Sequence, residues 1–500
     1  MKILLVYPQY IYHDTFDSRS PSLSLLYLAS RLEKDGHDVK IIDVSNGPIT
    51  PVKNGFLYGI RNEEVLKIFK NERYDVVGIT CSFASRWPFV SELASLFKSI
   101  WKDVPVVIGG LFPTYEWEYC FRNSKDIDIG VLGEGEETLA NIANGFEGGA
   151  SITGACEGAD GVAWRDGNDL RINEKTRYIE NLDSLPFPAW HLLDLKELFR
   201  YQKNFYNLRP PFFTVLSSRS CPYGCSFCNM YVTHGRRWRP RSVENFVDEL
   251  EFLKGRYNVS QFFFADDNFS FNLDRAKNIC KEIIRRNLKI KYNTGNGLNI
   301  KKVDKELFEL MKASGCGSIA LAIESGSERI RNGVYKKNVP SDKIHQAVKW
   351  CDAVGLPAIG FFMVGAPGEN RESVEETKKL IKNLPLTLCT CSIYTPYPKT
   401  ALYDECVEKG YLNDIDPESS ERVEFVTGLI RTPDFCPEDV KVWQREIYLS
   451  FIKHKWPRIL RELFKSNGVV IFSNFSIFKR LFNTKRFFSK IKIYFNLRGK

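Results

Sequence analysis

The sequence predicts an α/β protein: a doubly wound, Rossmann-like parallel sheet at the amino end, then a partial (β/α)6 TIM-type barrel, then a helical carboxyl-terminal region. Three observations predict it. Short Val/Ile-rich runs recur along most of the chain. Amphipathic stretches with apolar residues three or four apart separate them, which is the pattern of buried parallel strands alternating with helices. The rhythm lapses over residues 151–205 and stops near residue 410, so the expected divisions are 1–150, a connector over 151–205, a barrel over 206–410 and a helical region over 411–500. A chain of 500 residues also exceeds what one core usually organises.

In the first division the strands are KILLVY (Lys2 to Tyr7), VKIIDV (Val39 to Val44), DVVGIT (Asp75 to Thr80), VPVVIGG (Val104 to Gly110) and DIGVLG (Asp128 to Gly133). Stretches such as LSLLYLASRLEKDG and PFVSELASLFKSIW supply helices between them. Ligands of doubly wound sheets bind beyond the carboxyl ends of the strands. Those ends carry Pro8-Gln9, Cys81-Ser82-Phe83, Gly109-Gly110-Leu111 and Gly133-Glu134-Gly135-Glu136, whose glycines permit close backbone approach. None is a G-x-G-x-x-G fingerprint, and GEGEE sets carboxylates where a phosphate would need bare N–H groups or cations, so a nucleotide site is not expected. Glu134, Glu136 and Glu137 equally suit a helix N-terminus.

The connector is rich in Gly, Asp and Asn and includes NLDSLPFPAWHLLD, where two prolines interrupt an apolar run. Then FFTVLSSRS leads into SCPYGCSFCNMY, placing Cys221, Cys225 and Cys228 in a loop after a strand, with spacing C-x3-C-x2-C. Structural zinc wants four protein ligands, commonly two C-x2-C pairs, and no second pair stands at a suitable distance. A disulfide would strand one thiol. Three thiolates on one loop suit an iron–sulfur cluster whose fourth iron stays open to a ligand. Nearby His234, Arg236, Arg237 and Arg239 read either as an anion site or as a solvated charge run.

Downstream, FTVLSS, QFFFAD (Gln261 to Asp266), IKYNTG (Ile290 to Gly295), SIALAIE (Ser318 to Glu324), AIGFFMVG (Ala358 to Gly365) and LCTCSIYTP (Leu388 to Pro396) alternate with helical stretches such as VENFVDELEFLKGRY and SVEETKKLIKNL. Chemistry in such barrels sits at carboxyl ends of strands. Those ends are polar: Asp266, Asp267 and Asn268; Asn293 and Asn296; Glu324 and Ser325; Gly365, Pro367, Gly368 and Glu369. Singly, each is a turn or cap residue. Tyr394, Thr395 and Tyr397 end the sixth strand in a stretch that reads as a loop, with a substrate-side role as the alternative. Cys316, Cys351, Cys389 and Cys391 fall in helix or strand runs and read as packing residues.

The cysteine spacing, with aromatic Phe227 before the third cysteine, resembles the signature of radical S-adenosylmethionine (SAM) enzymes. The order of Ser82, Gly109-Gly110 and Gly133 to Glu136 resembles the cobalamin-binding domain that precedes some radical SAM domains. Together these place the chain by resemblance with class B radical SAM methyltransferases. The resemblance implies a [4Fe-4S] cluster on Cys221, Cys225 and Cys228, SAM chelated to the open iron, and a 5'-deoxyadenosyl radical. It also implies cobalamin against Ser82, Gly109, Gly110, Gly133, Glu134, Gly135 and Glu136. Further, the Asp266-Asp267 end with Asn296 would stand at the SAM amino group, Glu324 and Ser325 at the ribose, and Gly365 and Pro367 at the methionine or adenine. The chain departs from one pattern, because the Asp-x-His-x-x-G motif is missing and His13 stands nearby without that framing. Base-off cobalamin is therefore expected.

The net charge of +9 is local, since residues 451–500 hold thirteen Lys or Arg against Glu462, or +12, leaving −3 for the rest. The stretch VVIFSNFSIFKRLFNTKRFFSKIKIYFNLRGK alternates Phe and Ile with Lys and Arg. It suits a helix at a membrane interface, a single-stranded nucleic acid, or a helix packed on the barrel, and nucleic acid is the least favoured. MKILLVYPQY lacks signal-peptide features and thirteen scattered cysteines do not form a disulfide framework, so a reduced, cytoplasmic protein with peripheral membrane contact is expected. The expected activity is methylation of an unactivated carbon of a lipid or tetrapyrrole-like substrate, with SAM consumed and a donor such as flavodoxin or ferredoxin reducing the cluster. Rivals are a radical SAM cyclase or oxidoreductase of the same build, a cobalamin-binding sensor, and a tRNA methylthiotransferase. The last would carry three cluster cysteines in its first domain, where this chain has Cys81 and Cys120.

Overall fold

A computed structural model describes residues 1–12, 19–53, 55–412 and 428–464, without the side chains of residues 460 and 462–464. His13 and the basic stretch 466–500 lie outside the described residues. All five expected amino-terminal strands form and pair in parallel, in the order Ile129–Val131, Val106–Gly109, Val76–Thr80, Lys2–Tyr7, Asp38–Asp43. Lys2–Tyr7 shows why the runs are continuously apolar: Ile3 and Leu5 enter the core on one face, Leu4 and Val6 the core on the other. The order reverses between the first and third strands of the chain, which is where such sheets open a crevice.

The connector expected over 151–205 requires a correction. Val162–Asp166 and Asp169–Asn173 form an antiparallel hairpin that adds to the edge strand Ile129–Val131, so the first sheet has seven strands and runs to residue 173. Its two-residue turn uses Gly167 at φ +62°, and the Asp166-Gly167 pair between VAW and LRI was the available signal. The remaining connector packs inward: Trp190 is buried against Phe213, with ring centroids 4.6 Å apart, and its indole N–H donates to Glu249 at 3.2 Å.

The second sheet has the expected six strands, all parallel and in chain order: Phe213–Val215, Gln261–Phe264, Lys291–Leu298, Cys316–Glu324, Ala358–Val364 and Leu388–Ile393. Local chemistry fixes the helices between them. Ser242 accepts from the Asn245 N–H to open Val243–Tyr257, and Asn370 and Ser373 form a reciprocal cap on Arg371–Asn383. Six strands leave the barrel open at Leu388–Ile393. The helix Pro437–Phe464 covers that edge, burying Val440, Trp443, Ile447 and Phe451 in the barrel core. Tyr448 accepts from the Cys391 N–H at 2.9 Å and Gln444 donates to the Cys391 carbonyl at 2.7 Å, so the edge strand's spare backbone groups are satisfied.

Candidate active site

The cysteine loop begins where Phe213–Val215 ends, and buried carboxylates on the neighbouring strand end set its path. Asp266 accepts from the Ser217 N–H (3.2 Å) and from the hydroxyls of Ser217 (2.6 Å) and Ser218 (2.5 Å). Asp267 accepts from the N–H of Ser220, which sits at φ +71°. Burial raises the Asp267 carboxyl above the usual range. These two carboxylates are therefore occupied in shaping the loop, and the Asn296 amide ties down the backbone behind them, donating to the Ala265 carbonyl at 2.8 Å. At the far side, Ser226 donates through its hydroxyl to Val334 and through its N–H to Tyr335.

Cys221, Cys225 and Cys228 are partly buried and free. Burial raises the Cys225 thiol and pushes Cys228 up to about 12. As thiols they stay neutral, and a bound metal centre supplies the positive charge that deprotonates them. Among the described residues, no three His, Cys, Asp or Glu side chains gather as a single ion would require. A cluster asks less, one thiolate for each corner iron. The donor set fits it: Asn268 donates to Cys221 Sγ at 3.4 Å, and the buried Asn229 amide nitrogen beside Cys228 has no protein partner.

Within the barrel a cavity of about 500 Å³ opens against Phe227, Asn296 and Glu324. Glu324, at φ +66°, pairs with Lys337 Nζ at 2.8 Å. Lys337 also lies 5.8 Å from the Phe227 ring centre. Burial works against its charge, yet the Glu324 carboxylate and the Cys225 sulfur hold it above the ordinary lysine range. Sequence reasoning missed Lys337, since one lysine in YKKNV carries no periodic signal. Tyr394, Thr395 and Tyr397 line this cavity. Asp266, Asp267, Ser325, Gly365 and Pro367 do not. The Ser325 hydroxyl accepts from the Ser327 N–H within its own turn. Gly365 and Pro367 belong to a turn whose Gly365 and Ala366 N–H groups both donate to buried Glu369. Gly365 is at φ +92°, and a Cβ there would come 2.5 Å from Val440 of the covering helix. These three positions support the wall from behind.

A second cavity, about 320 Å³, lies between the domains. All seven predicted residues, Ser82, Gly109, Gly110, Gly133, Glu134, Gly135 and Glu136, line it. Leu5, Gly78, Ile79, Val107 and Val131 carry it down into the sheet at the reversal point. Gly110, at φ +106°, permits a close crossing, since a Cβ would sit 2.7 Å from the Cys81 carbonyl oxygen. A deep apolar slot under a glycine rim fits the nucleotide end of a base-off cobalamin.

Glu134 and Glu136 do more than line the cavity. Glu134 accepts a fork from Arg239 (2.9 and 2.6 Å), lies 3.1 Å from His234 Nδ1 and 3.3 Å from Arg219 Nη1, and accepts from the Ile179 N–H at 3.0 Å. Glu136 accepts from Arg219 Nη2 at 2.5 Å. Burial opposes its ionisation, but His234 and the two guanidiniums hold Glu134 well below the usual carboxylate range. The basic run after the cluster loop thus divides: Arg239 is buried in this network, while Arg237 pairs with Glu180 and Arg236 lies 3.8 Å from the Tyr231 ring centre. Arg219 was missed, because nothing in SSRSC marks it as an interdomain partner.

Residues 215–381 match the Radical SAM superfamily and residues 11–143 the B12 binding domain. An uncharacterized methyltransferase of Pyrococcus horikoshii is 31% identical over 474 residues, covering 94% of this chain and 96% of that one. A cytidylyl-2-hydroxyethylphosphonate methyltransferase of Streptomyces wedmorensis is 27% identical over 471 residues, 86% of each chain. The same fold occurs in the radical SAM methyltransferase TsrM of Kitasatospora setae, solved with cobalamin and a [4Fe-4S] cluster bound: TM-score 0.67, 18% identity, covering 92% of this chain and 89% of that one. With the cysteine loop, the glycine-rimmed interdomain cavity and a relative matched along nearly its whole length, the chain belongs to the cobalamin-dependent radical SAM methyltransferase family, whose cofactors are a [4Fe-4S] cluster, SAM and cobalamin.

Proposed function

We propose that this enzyme methylates an unactivated carbon of a largely apolar, uncharged molecule, such as a lipid or a tetrapyrrole-like compound. The lining of the barrel cavity carries the reading. Phe227, Phe361, Phe362 and Met363 supply its surface, Thr390, Ser392, Thr395 and the tyrosines Tyr206, Tyr394 and Tyr397 its hydroxyls, and the one charged lining residue among the described residues, Glu324, is neutralised by Lys337. An anionic substrate, such as the one for which the Streptomyces wedmorensis relative is named, would meet Glu324 and no lining cation. Bound in these sites, the cluster with SAM supplies a 5'-deoxyadenosyl radical and cobalamin a transferable methyl group. The chain's own share is to hold the cysteines at one mouth, keep Glu324 paired, and exclude water with aromatic walls. Peripheral contact with an anionic membrane through residues 466–500 suits the same substrate class, with flavodoxin or ferredoxin as the electron donor.

The test is anaerobic turnover with reconstituted iron, sulfide and hydroxocobalamin, trideuteromethyl SAM, and panels of neutral lipids, porphyrin esters and phosphorylated metabolites. The expected result is a trideuteromethyl product from an uncharged substrate, with S-adenosylhomocysteine and 5'-deoxyadenosine in equal amounts. Deoxyadenosine with an oxidised or cyclised product and no label would replace methylation with the cyclase reading. Methylation confined to the phosphorylated panel would overturn the substrate class.

A further inference from the structure

The interdomain cavity has two unlike walls. The first domain contributes the apolar slot, lined by Leu25, Leu28, Ile79, Val107 and Val131. The barrel side contributes polar groups from the start and end of the cluster loop: Arg219, Thr233 and His234. Arg219 is 4% exposed, and its Nη1, although 3.3 Å from Glu134, is not aligned to hydrogen-bond with it or with any other group. The Thr233 hydroxyl is likewise buried with no partner. His234 spends Nδ1 on Glu134 and so belongs to the ion network, not to the open donors. A native interior seldom leaves two such groups unmatched at one wall unless something else occupies it.

The charge there decides what that is. Glu134 and Glu136 face Arg219 and Arg239, two against two, so no guanidinium is left over for a phosphate. What remains is a set of donors at the edge of an apolar slot. That suits a flat aromatic ring with one neutral acceptor, and an aromatic base released from cobalt carries such an acceptor on its ring nitrogen. We infer that the barrel domain, through Arg219 and Thr233, recognises the ring nitrogen of the cofactor's nucleotide base, so that selection among cobamides is made at the domain interface. This rests on the assignment of the cavity to cobalamin.

The experiment is anaerobic equilibrium dialysis of the full-length, cluster-reconstituted protein against three probes: cobalamin, p-cresolylcobamide, which keeps the nucleotide-loop phosphate but has no ring nitrogen, and cobinamide, which lacks the nucleotide. Cobalamin should bind about ten-fold or more tightly than p-cresolylcobamide, the loss expected when buried donors go unmatched. Thr233→Val should weaken cobalamin several-fold and leave p-cresolylcobamide unchanged, and Arg219→Lys, which keeps the charge but drops the unaligned nitrogen, should act in the same direction. Equal affinity for cobalamin and p-cresolylcobamide, both above cobinamide, would assign the recognition to the phosphate or the ring surface and overturn the inference. A preference untouched by both substitutions would remove the barrel from it, with the same consequence. Failure of the unmodified protein to bind any of the three would overturn the cavity assignment itself.

Discussion

Removing Glu134 should loosen the two domains from each other more than it unfolds either one. The carboxylate is 1% exposed and Arg239 2%. Glu134→Ala takes from Arg239 two charge-assisted bonds of 2.9 and 2.6 Å, and from Arg219 the farther of its two counter-charges, Glu136 remaining at 2.5 Å. The Arg239 guanidinium keeps neutral carbonyl partners, those of Ile179, His234 and Arg237, and stays buried. Stripping one partner from a buried pair costs about 3–5 kcal/mol, most of it the uncompensated charge left behind. That mechanism makes a sharper prediction than the single substitution. In a double-mutant cycle of Glu134→Ala with Arg239→Ala, the second change should recover much of the first loss, with a coupling of about 2 kcal/mol or more. Urea unfolding followed by tryptophan fluorescence, together with proteolysis rates in residues 174–205, reads both transitions. The sign with pH follows from the depressed carboxyl: the stabilisation is complete above the unfolded value of 4.5 and is lost as pH falls below it toward the folded value. A coupling below about 0.5 kcal/mol would refute the reasoning and reduce the network to ordinary surface pairing.

Cys221→Ala, Cys225→Ala and Cys228→Ala should each abolish the iron–sulfur absorbance and the formation of 5'-deoxyadenosine, because each thiolate holds its own iron; cleavage persisting in the triple variant would exclude the cluster assignment. Burial raises Glu369 to about 7 from 4.5, so in the folded chain its proton is retained where the unfolded chain has lost it, and stability should fall by about 3 kcal/mol as pH rises from 4.5 through 7. Glu369→Gln keeps the acceptor for the Gly365 and Ala366 N–H groups and should flatten that slope; an unchanged slope in the variant would assign it elsewhere. Deleting residues 466–500 should release the protein from anionic liposomes at low salt, each Lys or Arg being worth about 1 kcal/mol at such a surface; equal pelleting of both proteins would remove the membrane from the substrate argument.

All eleven principal strands were legible because buried parallel strands are written as continuous apolar runs, which little else in a globular chain resembles. The cavity rim was legible for a related reason: Gly109-Gly110 and Gly133 to Glu136 follow apolar runs directly, so their place at carboxyl ends is fixed once the runs are strands. What each polar end contacts was not legible. Asp266 and Asp267 bind the loop that carries the cysteines rather than opening to the barrel cavity, and the choice depends on how far Ser217 to Ser220 folds back, which no local pattern encodes. Arg219 and Lys337 were invisible as site residues, and Arg239 was legible only as one of a run of cations that could bind an anion, since their partners lie 83, 13 and 105 residues away along the chain. The hairpin Val162–Asn173 was written in Asp166-Gly167 and was obscured by the polar composition around it.

Why the domains meet through buried ions, and not through a larger apolar face, follows from what the meeting must hold in place. A buried ion pair adds little net stability over apolar packing, and its attested use is to fix register, because a shift leaves charges unpaired. Apolar surfaces tolerate sliding. Here one turn of helix, Tyr231–His234, begins three residues after Cys228, and Met230, Thr233 and His234 at its ends line the interdomain cavity. The cluster loop is therefore also a wall of the interdomain cavity, and a small slip of one domain on the other would move one site against the other. The His234 backbone carbonyl accepts from Arg239 and its ring faces Glu134, so the same residue ties the helix to the network and to the cavity. Placing Glu134 between two guanidiniums and the His234 ring converts any such slip into unpaired buried guanidiniums, an energy far above thermal motion, and that keeps radical generation and the methyl source at a fixed separation.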